Sequence, residues 1–198
     1  MNRSLYFLAT LIIPSAAIGF EAADTIPPDQ RVRFINATRP GSCVWCGIGM
    51  AGVDANVPAA EKLHFNSEYG QALWGGANSY EAAAACRDRG IGAIILRGAS
   101  SLDTIDAALD SGRAIGITWT PHYRSGSPAH FITALGRSRD GSTYYVCDNR
   151  RPEKIESYTR AQFVANYGNS RGWCVVLKGP KPLPWKAPPL VAWWGNLP

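Results

Sequence analysis

Two thiols open one stretch of this chain. Cys43 and Cys46 stand in Ser42-Cys43-Val44-Trp45-Cys46-Gly47-Ile48-Gly49-Met50-Ala51-Gly52, directly after the turn-forming pair Pro40-Gly41. Ser42 suits a helix N-cap, and the apolar residues Val44, Ile48 and Ala51 recur at helical spacing. The pattern predicts a helix that starts at Cys43 and ends by Asn56, ahead of Pro58. A thiol in the first helical turn meets unpaired amide N–H groups and the positive end of the helix dipole, and both favour the thiolate. Cys43 is thus placed to act as a nucleophile. A buried structural thiol, or half of a disulfide, is the other use of a cysteine there. Cys46 lies nearly one turn deeper, where the dipole effect fades.

A cysteine nucleophile needs a base, and the base needs an orienting group. The chain has three histidines, His64, His122 and His130. His64 lies in a stretch of mixed pattern, and His122 follows Pro121 in a loop. His130 opens the apolar run His130-Phe131-Ile132-Thr133-Ala134-Leu135-Gly136, where a rigid strand would hold the ring at the mouth of a cleft. The next strand-like run, Thr143 to Cys147, leads into Asp148-Asn149. If the two runs pair as a hairpin around Asp140-Gly141, Asp148 returns to the side of His130. A carboxylate there would fix the imidazole tautomer and stabilise its charged form. Neighbouring strand residues point to opposite faces, so only one of Asp148 and Asn149 can face the ring. Asp148 is the stronger choice because a carboxylate stabilises an imidazolium more than an amide does. Simple turn chemistry also accounts for an Asp-Asn pair.

The elements that must carry these residues are legible at coarse grain. Arg31-Val32-Arg33-Phe34-Ile35 reads as a short strand. Ala59 to Trp74 has no clear pattern. Ser79 caps a helix from Tyr80 to Arg89, Ile91 to Leu96 reads as a strand, and Ser101 caps a helix from Leu102 to Leu109. Ala114 to Trp119, Ala129 to Leu135, Thr143 to Cys147 and Trp173 to Leu177 read as strands, with a helix around Thr159 to Asn166. Helices come first and an antiparallel sheet second, an α+β layout.

The 198 residues suit one domain with extras. Residues 1–23 read as a signal peptide. Arg3 precedes an apolar run from Leu5 to Ile13 that is too short to span a bilayer, and small residues follow. An exported protein is expected, with an uncleaved N-terminal anchor as the alternative. Residues 24–178 form the expected domain. Residues 179–198 are a Pro/Trp-rich tail that lies on the domain or meets a partner. The net charge of +5 is concentrated towards the C-terminus and suits anionic cell-envelope polymers, while no dense basic run points to nucleic acid. Export implies an oxidising compartment. With Cys43 left free, Cys46, Cys86, Cys147 and Cys174 are read as structural, and Cys46–Cys86 with Cys147–Cys174 is one of the three ways to pair them.

Together these residues resemble papain-like cysteine peptidases, nearest the shorter bacterial branch that includes the C39-type peptidases. In that group a nucleophilic cysteine opens the central helix, a histidine opens a sheet strand, and Asp or Asn follows on the next strand. Cys43, His130 and Asp148 match this order, and Leu109-Asp110-Ser111-Gly112-Arg113-Ala114-Ile115-Gly116-Ile117 resembles the helix, turn and strand before the histidine. The resemblance covers roughly Val32 to Leu177 and departs from papain in placing Val44 between the cysteine and Trp45. It implies a papain-like α+β fold, a Cys43–His130–Asp148 triad and a peptide or protein substrate, with no cofactor and no metal. These enzymes usually carry an upstream Gln as oxyanion donor. No Gln lies between Gln30 and Cys43, so Asn36, the side-chain amide of that loop, is the candidate donor beside the Cys43 N–H. Two other readings compete. One is a thiol oxidoreductase acting through the C-x-x-C of Cys43 and Cys46, and the other is a non-catalytic binding module on the same fold.

Overall fold

The computed structural model describes residues 26–35, 42–65, 77–99, 101–120, 130–168 and 172–180. In chain order the elements are α1 (Pro28–Arg31), a 3-10 turn (Val32–Phe34), α2 (Cys43–Ala55), α3 (Pro58–Phe65), α4 (Ser79–Asp88), β1 (Ala93–Arg97), α5 (Ser101–Asp110), β2 (Ile115–Trp119), β3 (His130–Arg137), β4 (Thr143–Cys147), β5 (Ile155–Thr159), α6 (Arg160–Tyr167) and β6 (Trp173–Leu177). The six strands form one sheet in the order β1-β6-β2-β3-β4-β5, and every neighbouring pair is antiparallel. This is the α+β layout expected from the sequence. No helix among the described residues is long and apolar enough to cross a membrane.

Both faces of the sheet are covered, which is why its central strands β6, β2 and β3 are mostly apolar and buried along nearly their whole length. On one face Val44, Trp45 and Ile48 of α2 pack with Ala60 and Leu63 of α3, Ala82 and Ala85 of α4, and Phe131, Trp173 and Val175 of the sheet. On the other, Ile105, Ala108 and Leu109 of α5 and Phe163 of α6 cover Ile117, Ile132, Val146 and Val176. α2 is buried at every residue but Val53. It comes so close to the sheet that a Cβ on Gly47 would stand 2.7 Å from the Phe131 ring, and one on Gly116 of β2 would stand 2.6 Å from the same ring. Phe131 therefore fills a slot that exists only because both positions are glycine, with its ring centroid 4.5 Å from that of Trp173. The far end of α2 is held as well. Asp54 accepts the Ala114 N–H at 2.8 Å, and the neighbouring buried Arg113 donates to the Leu177 carbonyl at 2.8 Å.

Several expectations are corrected. Residues 31–35 are not a strand but the end of α1 and the 3-10 turn. Arg31 is buried there and donates to the carbonyls of Ile26 (2.6 Å) and Pro152 (2.9 Å), which pins this segment to the turn after β4. Asn78, not Ser79, caps α4, in a capping box with Glu81. The mixed stretch holds α3, and the polar edge strand β5 was not expected. No disulfide is present, since all five cysteines are free and buried. Cys147 on β4 and Cys174 on β6 have β3 and β2 between them, a separation of about 14 Å at the usual strand spacing. Cys46 packs with Ile26, Phe34 and Met50, whereas Cys86 belongs to the cluster around Val44 and Ile48. The signal segment, Asn36, His122 and all of the tail beyond residue 180 lie outside the described residues.

Candidate active site

Cys43 is the first residue of α2, as the apolar spacing predicts. The Ser42 side chain makes no capping hydrogen bond, so the first-turn amides are not satisfied by that hydroxyl. Cys43 is 8% exposed, and Val44 and Trp45 behind it are buried in the core. The nucleophile candidate is thus fixed by packing at the start of the helix.

His130 is the first residue of β3 and sits opposite Trp119 of β2. The β3–β4 register pairs Thr133 with Cys147, which brings the next two residues of the chain, Asp148 and Asn149, back along the start of β3. Asp148 Oδ1 lies 2.7 Å from His130 Nε2. Cys43 stands close enough to the same ring to act on its charge, and with Nε2 committed to Asp148 it is the Nδ1 edge that is left for the thiol. Asp148 is also held by the Arg150 N–H at 2.9 Å. Cys43, His130 and Asp148, far apart in the chain, therefore meet in one line of contacts.

The electrostatics of the line are consistent with its geometry. Burial works against a charged His130, but the hydrogen bonds and charges of Asp148 and Cys43 together outweigh it and raise its pKa above 6.5. For Asp148, burial opposes ionisation, yet the His130 hydrogen bond, the Arg150 N–H and the nearby positive charges prevail and hold its carboxyl below the usual carboxylate range. The pair favours imidazolium beside carboxylate. Elsewhere burial dominates: it pushes the thiols of Cys46, Cys86, Cys147 and Cys174 up to about 12.

Asn149 does not compete with Asp148 for the ring. It is fully buried, and its Nδ2 donates to the Phe131 carbonyl at 2.8 Å and the Cys43 carbonyl at 3.1 Å. One amide thus ties the backbone of the thiol to the backbone next to the imidazole. The sequence offered Asp148 and Asn149 as alternatives, and the structure gives them different contacts. The strand alternation that separated them was the signal for this second role. A second thiol–imidazole contact was missed: Cys46 Sγ lies 3.2 Å from Nδ1 of His64, on α3. Among the described residues no group of three or more His, Cys, Asp or Glu is arranged to hold a metal ion.

No protein-family model matches the chain, and no curated protein sequence does. Among solved structures it is similar to a double-glycine-motif protease from an AMS/PCAT transporter, in complex with the leader peptide. That match has a TM-score of 0.49 and 16% identity, and covers 73% of this chain and 90% of the other. It is also similar to the peptidase domain of Streptococcus ComA, a bi-functional ABC transporter involved in a quorum-sensing pathway. Here the TM-score is 0.48 and the identity 10%, over 73% of this chain and 96% of the other. Neither likeness carries the functional reading below, which stands on the side-chain geometry.

Proposed function

We propose that this chain is a papain-like cysteine peptidase, or a closely related acyl-transfer hydrolase, that acts on a peptide or protein substrate through Cys43, His130 and Asp148. One observation carries the reading. The His130 ring hydrogen-bonds Asp148 at 2.7 Å through Nε2 and contacts Cys43 with its remaining edge, at the first turn of a helix. In this reading the Cys43 thiolate attacks the carbonyl carbon of a peptide or amide bond. The tetrahedral oxyanion is met by the Cys43 N–H and by the side-chain amide of Asn36. His130, as imidazolium, gives its proton to the departing amine, and a thioester remains on Cys43. Neutral His130 then draws a proton from water as the water attacks the thioester, and the acid product leaves. Asp148 keeps the ring in one tautomer and stabilises its charged form. In the same reading the protein acts after export, as the N-terminal apolar run suggests, and the basic Pro/Trp-rich residues 179–198 contact an anionic envelope polymer.

The test is covalent labelling of the full chain with an electrophilic peptide probe, followed by peptide mass spectrometry. The adduct is expected on Cys43 and lost in Cys43→Ala and His130→Ala. Labelling of Cys46 with Cys43 spared would overturn the assignment. A Cys43→Ala protein that behaves like wild type in every functional assay would favour the non-catalytic binding module.

A further inference from the structure

Cys46 and His64 have no part in the hydrolysis proposed above, yet they form a second thiol–imidazole contact, 3.2 Å from Sγ to Nδ1, beside the first. Cys43 and Cys46 are three residues apart on one helix, so the helix rise and radius set their α-carbons about 5 Å apart. That lies inside the range of roughly 4.4–6.8 Å that a disulfide spans. Cys46 also feels the charge of Cys43. Of the two residues Cys43 is the less buried, 8% exposed against 0% for Cys46. A dissolved oxidant therefore meets Cys43 first, and Cys46 can react only with what forms there. The other three thiols are placed elsewhere: Cys147 points its sulfur at the Pro152 carbonyl, Cys174 lies within β6, and Cys86 lies on α4.

We propose that Cys43 and Cys46 form a reversible disulfide in response to a hydroperoxide, with Cys46 as the resolving thiol and His64 as its base. The inference rests on the reading of Cys43 as a nucleophilic thiolate. In the first step the Cys43 sulfur attacks the terminal oxygen of the hydroperoxide. An S–O bond forms, the O–O bond breaks, the leaving alkoxide takes a proton from solvent, and Cys43 is left as a sulfenic acid. In the second step the Cys46 sulfur attacks the Cys43 sulfur while His64 Nδ1 takes the Cys46 proton. The S–O bond breaks, the departing hydroxide takes a proton from solvent to become water, and His64 returns its proton to solvent. The hydroperoxide is reduced by two electrons and the thiol pair is oxidised by two. An external dithiol reverses the change by thiol–disulfide exchange. Burial raises the Cys46 thiol to about 12, so Cys46 rests as a thiol and its attack depends on a base within reach. His64 is that base: it is half-buried on α3, its ring packs near Phe34 at 5.6 Å, and one edge is set against the sulfur. The disulfide occupies the nucleophile, stops hydrolysis and keeps Cys43 from irreversible over-oxidation.

The experiment treats the reduced full chain with hydrogen peroxide, alkylates remaining thiols and maps peptides without reduction. No Lys or Arg lies between Cys43 and Cys46, so both fall in one tryptic peptide. The disulfide reads there as a loss of two hydrogens with both thiols protected, and a dithiol restores them. In Cys46→Ser and Cys46→Ala, Cys43 is expected to accumulate as a sulfenic acid that dimedone traps, and then to over-oxidise. His64→Gln is expected to slow disulfide formation by about 10²-fold, the lower end of a general-base contribution. Wild type passing straight to sulfinic acid, or a Cys43 disulfide with any other cysteine, overturns the proposal, and an unchanged rate in His64→Gln removes the base from it. Iodoacetamide labelling of the reduced protein separates the two readings. Selective Cys43 labelling without a peroxide-induced disulfide sinks the switch and leaves the peptidase reading standing. An inert Cys43 takes both down.

Discussion

Helix α2 carries two thiol–imidazole contacts less than one turn apart, and they are built differently. In the first, Cys43 begins the helix, is slightly less buried than Cys46, and meets a ring whose Nε2 is held by a carboxylate at 2.7 Å. In the second, Cys46 is sealed in the core, and its ring at 3.2 Å packs near Phe34. The residue types of the two pairs are the same. The first pair has a carboxylate behind its ring and stands at the start of the helix, while the second lies nearly one turn deeper. The carboxylate fixes a tautomer and favours charge, the first turn favours an anion, and access lets a substrate in. A Cys–His contact alone is therefore weak evidence of catalysis, and the surroundings decide what the pair can do.

The sharpest way to break this comparison is to remove each sulfur in turn. Cys43→Ala should abolish hydrolysis of a peptide substrate, by up to the order of 10⁶-fold in kcat, the scale on which a triad loses its nucleophile. Cys46→Ala should leave kcat within about threefold and lower stability by about 1 kcal/mol through a small core cavity. Equal losses in the two variants, measured by steady-state turnover and thermal melting, would mean that the two pairs act as one unit.

The next largest effect comes from the orienting residue. Asp148→Ala should lower kcat by up to the order of 10⁴-fold while leaving KM nearly unchanged, because the ring loses its fixed tautomer and not its contact with substrate. Asp148→Asn should retain more activity than Asp148→Ala, since an amide oxygen can still accept from the ring. If Asp148→Ala raises KM and spares kcat, Asp148 binds substrate and does not orient His130.

A smaller effect tests the tether. Asn149→Ala leaves the carbonyls of Phe131 and Cys43 without their amide partner in a buried site. The cost should be about 3 kcal/mol of folding stability, from two carbonyls that lose a buried donor. Because the tether joins the thiol's helix to the imidazole's strand, the rate of Cys43 alkylation near neutral pH should fall in the still-folded variant, while the thiol count under denaturant stays the same. A variant that melts lower but alkylates as fast as wild type would limit Asn149 to holding the fold together.

The parts of this site that could be read from sequence share one property: local spacing fixes them. The start of α2 is legible in the Val44–Ile48–Ala51 spacing after the Pro40-Gly41 turn signal, although Ser42 does not cap it with its side chain. Asp148 beside His130 follows from a hairpin of two mostly apolar runs around Asp140-Gly141. What was missed depends on long-range packing. Val32 to Ile35 alternates like a strand, yet Arg31 is bonded to the Pro152 carbonyl, and that contact draws the segment into a helical turn. β5 is an edge strand with polar positions, so it lacks the apolar signal of its neighbours. The expected Cys147–Cys174 disulfide failed because the chain returns at β6 to lie between β1 and β2, away from β4, which no local pattern announces. The Asn149 tether and the Cys46–His64 contact exist only once α2 has docked against β3 and α3.

The least disruptive test uses pH. In the folded protein the His130 pKa is raised above its ordinary 6.5 and that of Asp148 is lowered below its ordinary 3.8. A raised histidine adds stability below its unfolded pKa, and that share is lost as pH climbs through the folded value. A lowered carboxylate adds stability above its unfolded pKa, and that share is lost as pH falls through the folded value. Both shares are fully present only between pH 3.8 and 6.5. Asp148→Asn should therefore be less stable than wild type by about 2 kcal/mol in that window, the usual worth of a hydrogen bond between charged groups, with the gap narrowing on either side. Cys86→Ala serves as the control. Burial raises that thiol from 9.0 to about 12, so it stays protonated in both states throughout the window and its stability gap should be flat. Denaturant titrations of the three proteins from acid to mildly alkaline pH measure this directly. A flat gap for Asp148→Asn would mean that the His130–Asp148 contact is a neutral hydrogen bond, and the contrast between the two thiol–imidazole pairs would then rest on access and helix position alone.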